Sequence, residues 1–556
     1  MFSEITQEER SRATKKGLKR ELNLLDMTMV GLGAIIGSGW LFASQKAANL
    51  AGPAAILAWI IGGGAITFIA LVYAEMGAML PVAGGLVRYP QYSHGNFVGY
   101  IMGFSCITAY STVIAIEAEA VVQYMSAYIP LLYVHQNMTL LGWLVTLLFI
   151  FLFFLLNYFS VRIFARVNNI ITILKFITPL LVILVFFTRF NPANLHFGGS
   201  FAPFGLPGIF SAVSSGGVVF AFLGFRMAVD LGGEAKNPGR DVPLAIVIAV
   251  VISVALYALL QTCFVGTLTP AALAKGWGNF GFKAPFADLA LLLGFTWLAP
   301  VLFADALISP AGTGSIYTAS TSRLILAQAH NGLWWNVFSG VDHKSGVPRA
   351  ALWLTLVLSI VWTAPFPTWN QLVGVVSGAV VFTYMVGPVS ALAFRRTSPD
   401  MHRPLPLKGL PLIALMAFIV GTLLIYWNGW HTDWVVVTVD LCSLALYAYF
   451  MLAHRNLRKD LGKNIRAGIW LVVYMLFLLI VSYAGSSRFG GHDLISYPLD
   501  LLVVVIGAIG FFCWGCASAF VTPDIEAAIL AQEKSEELPA ERSYEGEGPV
   551  QPVSGL

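Results

Sequence analysis

Four ionisable side chains stand where the sequence is otherwise apolar: Glu117 and Glu119 in AIEAEAV, Lys175 in TILKFIT and Arg226 in LGFRMAVD. A charge at such depth is costly, about 2.5 to 3.5 kcal/mol for an arginine at the centre of a membrane helix. Each therefore calls for a partner, a wet cavity or a change of protonation. A guanidinium offers a planar fork that grips a carboxylate, and a buried lysine or carboxyl can take up and release a proton. Glu117 and Glu119 are two residues apart, about 200° around a helix, so they cannot share a face. At least one points into protein, as an ion-paired group or as a proton site. Asp230 lies four residues after Arg226, on the same face if the chain is helical there. It is either an intrahelical ion-pair partner or a gate that occupies the arginine while the site is empty.

Two glycine-rich stretches must position these groups. The first is GLGAIIGSGWLF, Gly31 to Phe42, inside an apolar run from about 22 to 48. Glycine costs roughly 1 kcal/mol against alanine in a helix interior, so the helix should open here. Opened backbone at membrane depth is tolerated only inside protein or against a wet cavity. A second half-helix beginning at Gly37-Ser38-Gly39 aims free N–H groups and a positive dipole end into that cavity, a place for a carboxylate. The second stretch runs from Ser214-Ser215-Gly216-Gly217 to Arg226. These stretches fall in the first and sixth apolar spans, so each opens a unit of five. An odd-numbered repeat re-enters from the opposite side and is an inverted copy, and paired breaks in corresponding positions point to a transport site. The plainer reading is that the glycines only let helices pack closely.

The wider composition agrees with a membrane-embedded chain. Of 556 residues 58% are hydrophobic and 11% charged, which no soluble domain matches. Apolar runs give about fourteen spans, among them 23-48, 207-233 and a long eighth at 294-328. With the N-terminus inside, 25 of the 32 Lys and Arg fall on the cytoplasmic side, as the positive-inside bias requires. The expected organisation is a cytoplasmic segment 1-22, a ten-span core 23-396 made of repeats at about 23-190 and 205-396, four further spans over 409-520, and a cytoplasmic disordered tail 521-556 that starts as a frayed helix. Asp26 reads as a helix cap, Glu75 as a structural ion-pair partner near the inner face, and Asp305 with Ser309-Pro310-Ala311-Gly312-Thr313 as further cavity lining in span eight. The five cysteines, Cys106, Cys263, Cys442, Cys513 and Cys516, lie in spans without metal-ligand spacing and read as packing residues. There is no His or Cys ligand cluster and no nucleophile-base pair, so neither metal, cofactor nor catalytic group is expected, and the chain is not expected to be an enzyme. The net charge of +4 reflects the inside bias and implies no nucleic-acid partner.

These motifs resemble a known superfamily. Gly31 to Phe42 is similar to the first-span signature of the amino acid, polyamine and organocation (APC) transporters. Phe220-Ala221-Phe222-Leu223-Gly224-Phe225, with Glu234-Ala235-Lys236-Asn237-Pro238, is similar to its sixth-span signature, and the resemblance covers about 22 to 400. It implies an all-α fold of two inverted five-helix repeats with broken first and sixth spans, working by alternating access. It also implies that the Gly37, Ser38 and Gly39 amides hold a substrate carboxylate, that carbonyls near Ile35, Phe220 and Phe222 hold its amine, and that Gly224 belongs to the same site. Lys175 matches the lysine that replaces sodium in sodium-independent relatives. Many members carry an acidic residue where this chain has Arg226, and an anionic substrate side chain is its simplest complement. The length resembles the fourteen-span subgroup with aspartate/proton symporters. The expectation is therefore a bacterial cytoplasmic-membrane importer of aspartate or glutamate, with both termini inside, coupled to protons through Lys175 with Glu117 or Glu119. A neutral amino acid carrier, an exchanger of the same fold and a non-transporting nutrient sensor are the alternatives; the partners are the amino acid, the proton and the bilayer.

Overall fold

A computed structural model describes residues 22–537, apart from 83, 135–136, 160, 343–344, 455–457 and 459; for 161–170, 531 and 533–537 only the backbone is described. The polar lead before Leu22, the end of the tail, and the side chains of Arg162 and Arg166 lie outside the described residues.

The chain is almost entirely helical. Its first half holds α1 (Leu24–Ile35), α2 (Gly39–Ala51), α3 (Ala55–Met79), α4 (Gly85–His94), α5 (Asn96–Met125), α6 (Leu140–Tyr158) and α7 (Val161–Phe187). Then come α8 (Gly205–Ser214), a 3₁₀ segment Phe220–Arg226, α9 (Met227–Asp230), α10 (Pro238–Gly266), α11 (Pro270–Leu273), α12 (Pro285–Leu292) and α13 (Leu298–His330). The remainder is α14 (Arg349–Thr363), α15 (Trp369–Tyr384), α16 (Val386–Thr397), α17 (Leu410–Tyr426), α18 (Trp430–Ala453), α19 (Leu461–Ala484), α20 (Leu499–Ser518) and α21 (Pro523–Glu537). A two-residue antiparallel hairpin, Tyr133–Val134 with Asn137–Met138, follows α5. Among the described residues eight helical stretches are long and apolar enough to cross a membrane, and five shorter apolar helices accompany them.

Both glycine-rich stretches are broken as their composition predicts. α1 starts in a capping box, with Asp26 N donating to Asn23 Oδ1 and Asn23 N to Asp26 Oδ2, and it stops at Ile35. The chain bends through Ile36-Gly37-Ser38 before α2 begins. α8 stops at Ser214, and Gly217 takes φ +89°, a left-handed turn that suits glycine. The two breaks lie against each other. A Cβ on Gly39 would stand 3.0 Å from the Ala221 backbone, and one on Gly224 would overlap Ala34 and Ile35. The close-packing reading is thus also true of these two glycines, and the breaks need it. α1 and α3 pack on α10, α5 on α13 and α15. A short parallel bridge from Leu22 to Ala235 ties the start of α1 to the turn after the second break.

Outside the core, Glu75 pairs with Arg395 at 2.5 Å and accepts the Leu407 amide. One expectation changes. Cys442 and Cys513 are exposed, on outward-facing helix surfaces, and only Cys106 and Cys263 are fully buried packing residues. The tail begins with α21. Thr522 Oγ1 donates to the Tyr92 carbonyl, Gln91 Nε2 to Asp524, and Ile525 is buried.

Candidate functional site

Opening a helix strands carbonyls as well as amides, and buried backbone groups must find partners. Around the first break they do so through side chains from four other helices. Tyr257 Oη donates to the Ile35 carbonyl at 3.1 Å, and Ser309 Oγ to that of Ile36 at 3.1 Å. Lys175 Nζ donates to the Gly33 carbonyl at 2.9 Å and to Thr313 Oγ1 at 2.7 Å. At the second break Tyr384 Oη donates to the Leu223 carbonyl at 2.9 Å. The Ile35 carbonyl also accepts the Gly37 amide at 3.0 Å, so it is engaged twice and not free for an amine.

The freed amide is the informative one. Ser38 N donates to Glu117 Oε2 at 2.9 Å. Gly37 makes room for it: a Cβ there would meet Glu117 Oε1 at 2.6 Å and Thr313 Oγ1 at 2.9 Å. Glu117 is 1% exposed. The place where the sequence predicts a carboxylate therefore holds one, supplied by the protein itself. Lys175 lies close enough to feel that charge, and Gly312 lets it approach, since a Cβ there would stand 2.8 Å from its Cε.

A small cavity joins the two breaks, lined by Ile35, Gly37, Gly39, Glu117, Phe220, Gly224, Thr313 and Tyr317 among others. The space open to the centre of a water molecule is about 10 Å³, room for about one water. Trp369, fully buried, covers it on one side and donates its Nε1 to Ser38 Oγ at 2.9 Å.

Arg226 does not line this cavity. The 3₁₀ segment rises about 2 Å per residue, so Arg226 sits about 12 Å along it from Phe220, behind Tyr317. There it is fully buried, with its guanidinium carbon 3.7 Å from the Tyr110 ring centre, 5.3 Å from that of Tyr317 and 5.7 Å from that of Tyr384. Nη1 reaches Thr383 Oγ1 at 3.4 Å, and the Tyr317 side chain is close enough to engage the guanidinium too. The intrahelical pair with Asp230 is replaced by a relay: Tyr110 stacks on the guanidinium and donates its hydroxyl to Asp230 Oδ2 at 3.0 Å. Asp230 still lies close enough to feel the arginine's charge across this relay.

Glu119 is also buried, but on the other side of α5. Its two oxygens have no hydrogen-bond partner among the described residues, and Tyr133 of the hairpin is its electrostatic neighbour. Glu117 thus joins Lys175 at the break and Glu119 does not. Phe222 packs against Trp59 and Tyr257 rather than on the cavity wall. The tyrosine box around Arg226, and Trp369, carry no signal in the sequence beyond being aromatic residues in apolar spans.

Two helices broken at mid-length, packed break to break around a closed polar cavity, define a membrane carrier that binds a small polar solute at its centre. The profile of the amino acid permease family matches residues 22–439, and the chain belongs to that family. It is 42% identical over 507 residues to an aspartate-proton symporter of Bacillus subtilis (strain 168), covering 90% of this chain and 97% of that protein. It is 40% identical over 519 residues to the glutamate/serine transporter AimA of the same organism, covering 92% and 96%. A branched-chain amino acid permease, BcaP, also from that organism, is 26% identical over 457 residues, 80% of this chain. The chain is an integral membrane protein of the permease class.

Proposed function

We propose that the protein is a secondary active carrier that imports an acidic amino acid, aspartate or glutamate, together with protons. The observation that carries this reading is the Ser38 amide holding the Glu117 carboxylate at 2.9 Å, which supports a carboxylate site at the first break. The substrate's α-carboxylate takes that amide with those of Gly37 and Gly39. Glu117, displaced and left without its donor, takes a proton, because an unpaired buried carboxylate is far costlier than a neutral acid. Lys175 holds the first break from behind and shares the coupling charge with Glu117. The fully buried Glu119, apart from the break, is a second proton-holding group at most. Carbonyls at Phe220 and Phe222 receive the amine once the breaks separate, and the Ile35 carbonyl joins them only by giving up Tyr257.

Arg226 is the complement of the distal carboxylate. Tyr317, which lines the cavity, also touches its guanidinium. Swinging that ring aside exposes a guanidinium already oriented by Tyr110 and Thr383. Asp230 draws on the same tyrosine and is the arginine's partner while the site is empty. The helices support fourteen crossings when α1 with α2, α8 with the 3₁₀ segment and α9, and α15 with α16 each count as one and α4, α11, α12 and α21 do not cross. They form two inverted five-span units and four further spans, with both termini at the cytoplasmic face of a bacterial inner membrane.

The similarity to an aspartate-proton symporter over nearly the whole chain favours this reading over a neutral carrier or an exchanger. Uptake into proteoliposomes tests it. Labelled aspartate accumulates when the exterior is acidic, and excess aspartate or glutamate, not leucine or lysine, competes. Arg226→Ala abolishes this uptake while the protein still inserts. Unchanged aspartate affinity in that variant refutes the assignment of the distal carboxylate. Uptake that needs internal substrate instead of a pH gradient refutes symport.

A further inference from the structure

α4 is ten residues long and carries Pro90 inside it, too little to stand on its own hydrogen bonds. A helix leaves its first N–H and last C=O groups unpaired, and distant segments meet that need at both ends of α4. At its start the Gly84 amide donates to the Asp230 carbonyl at 3.2 Å, and the Leu86 amide faces the Asp230 carboxylate. At its end Thr522 Oγ1 donates to the Tyr92 carbonyl at 2.7 Å, and the Phe520 amide to the Ser93 carbonyl at 3.2 Å. Gln91 Nε2 reaches Asp524 Oδ2 at 3.1 Å, and His94 Nε2 donates to the Gly515 carbonyl of α20 at 3.0 Å. One end of α4 is thus capped by the second break, the other by the last span and the segment after it.

That segment is itself fixed. Arg396 Nη2, at the end of α16, donates to the Ala519 carbonyl at 2.7 Å, and Ile525 is fully buried. Thr522 is 1% exposed, so no water replaces its bond to Tyr92 once the hydroxyl is gone. From the other end of α4 the connection runs to the site: Asp230 Oδ2 accepts Tyr110 Oη at 3.0 Å, and the Tyr110 ring centre lies 3.7 Å from the Arg226 guanidinium carbon. On the same face Leu22 N donates to the Glu234 carbonyl at 3.0 Å and Lys236 N to the Leu22 carbonyl at 2.8 Å. Both broken helices are therefore held to each other at this face and, through α4, to the last span.

We propose that residues 519–525 are a brace: acting through α4, they keep the two breaks shut at the face where Leu22 and α21 lie. Opening the cavity on that face draws α9 away from Gly84. The step is easier when α4 has lost its far cap, because a helix of this length frays without one. The spans after α16 then have a task, as a fixed frame that sets how readily the core opens to one side. Thr522 touches neither substrate nor cavity and is a positioning residue. This rests on the carrier reading and adds what holds the carrier closed on one face.

The test compares wild type, Thr522→Val, which keeps the shape and loses the hydroxyl, and Thr522→Ser, which keeps the hydroxyl, each as full chain. Hydrogen–deuterium exchange is followed peptide by peptide. Val113→Cys, a substitution in the cavity wall, is then added to each chain. Its labelling by an impermeant thiol reagent is measured in right-side-out and inverted membrane vesicles, over the rate of the chain without it. In Thr522→Val exchange rises about tenfold, the weight of one lost buried hydrogen bond, over both 84–94 and 227–236, and stays at the wild-type rate in α2. Labelling speeds up by a similar factor only from the face carrying α21, and Thr522→Ser behaves as wild type. Unchanged exchange, or faster exchange confined to α4 and α21, overturns the brace, because the loss then stops short of the break. So does labelling that speeds up equally from both faces, which marks a loosened fold, and so does a Ser variant no different from Val. A cavity cysteine unreactive from both faces in the otherwise wild-type chain overturns the carrier reading and the brace with it.

Discussion

Replacing Glu117 by glutamine separates the two tasks assigned to it, because the side chain keeps its shape and loses its charge. In the empty protein its carboxylate competes with the substrate's for the Ser38 amide, 2.9 Å away. A hydrogen bond to a charged acceptor contributes about 1.5 to 3 kcal/mol net and a neutral one about 0.5 to 1.5. The substitution thus weakens the internal competitor by about 1 to 1.5 kcal/mol, which is about five- to twelvefold in the substrate dissociation constant. Loss of repulsion between Glu117 and the nearby carboxylates of the substrate acts in the same direction. The pH dependence follows from the same competition. A protonated Glu117 releases the amide, so acid tightens aspartate binding in the wild type and does little in the glutamine variant. Isothermal titration in two buffers of different ionisation enthalpy counts the proton: about one taken up per aspartate bound in the wild type and close to none in Glu117→Gln, as linkage requires. Gradient-driven accumulation falls in the variant although its affinity rises. Aspartate binding that weakens tenfold at unchanged melting temperature, or proton uptake that persists in the variant, refutes the competition.

Lys175→Ala removes the donor that satisfies the Gly33 carbonyl and Thr313; uptake then no longer responds to a pH gradient, and full gradient-driven accumulation by the variant excludes the lysine from coupling. Gly224→Ala places a methyl on the Ala34–Ile35 backbone, where nothing flexible can give way. The two breaks are forced apart, and aspartate-induced thermal stabilisation is lost, with a melting temperature lowered by several degrees for a destabilisation of about 1 to 3 kcal/mol.

The breaks were legible because glycine acts locally: four glycines between Gly31 and Gly39, and three at Gly216, Gly217 and Gly224, disfavour a helix whatever surrounds them. Depth was legible too, so Glu117, Lys175 and Arg226 stood out as ionisable groups in apolar spans. What spacing cannot provide is the rotation of one helix against another. Periodicity says that Glu117 and Glu119 face opposite ways, but only packing shows that Glu117 is the one turned toward Gly37 and Lys175. For Arg226 the error was one of translation. The sequence placed it at the break, and the 3₁₀ segment carries it past the cavity into a box of tyrosines from α5, α13 and α15. A tyrosine in an apolar span looks the same whether it stacks on a guanidinium or fills a core. Nothing in the local sequence therefore distinguished Tyr110, Tyr317 and Tyr384.

The size of the cavity decides what must move. With room for about one water, it cannot hold an amino acid of nine heavy atoms such as aspartate, so the structure is a closed conformation and binding must open it. Its two covers differ in kind. On the side of Ser38 the cover is Trp369, latched by one neutral hydrogen bond to the Ser38 hydroxyl and wedged by ring contacts with Phe42 and Phe220. On the other side it is Tyr317, stacked toward a buried guanidinium that also lies over Tyr110 and Tyr384. A neutral hydrogen bond is worth about 1 kcal/mol net, and a desolvated cation–π contact about 2 or more. Trp369 carries a cation as well, Lys46 Nζ 6.0 Å from its ring centre, so the covers differ not in strength but in what can replace them: only Tyr317 faces a buried guanidinium that a substrate carboxylate can take over. The substrate's distal carboxylate can then compensate the guanidinium directly, and the tyrosine side loosens only once the site is loaded.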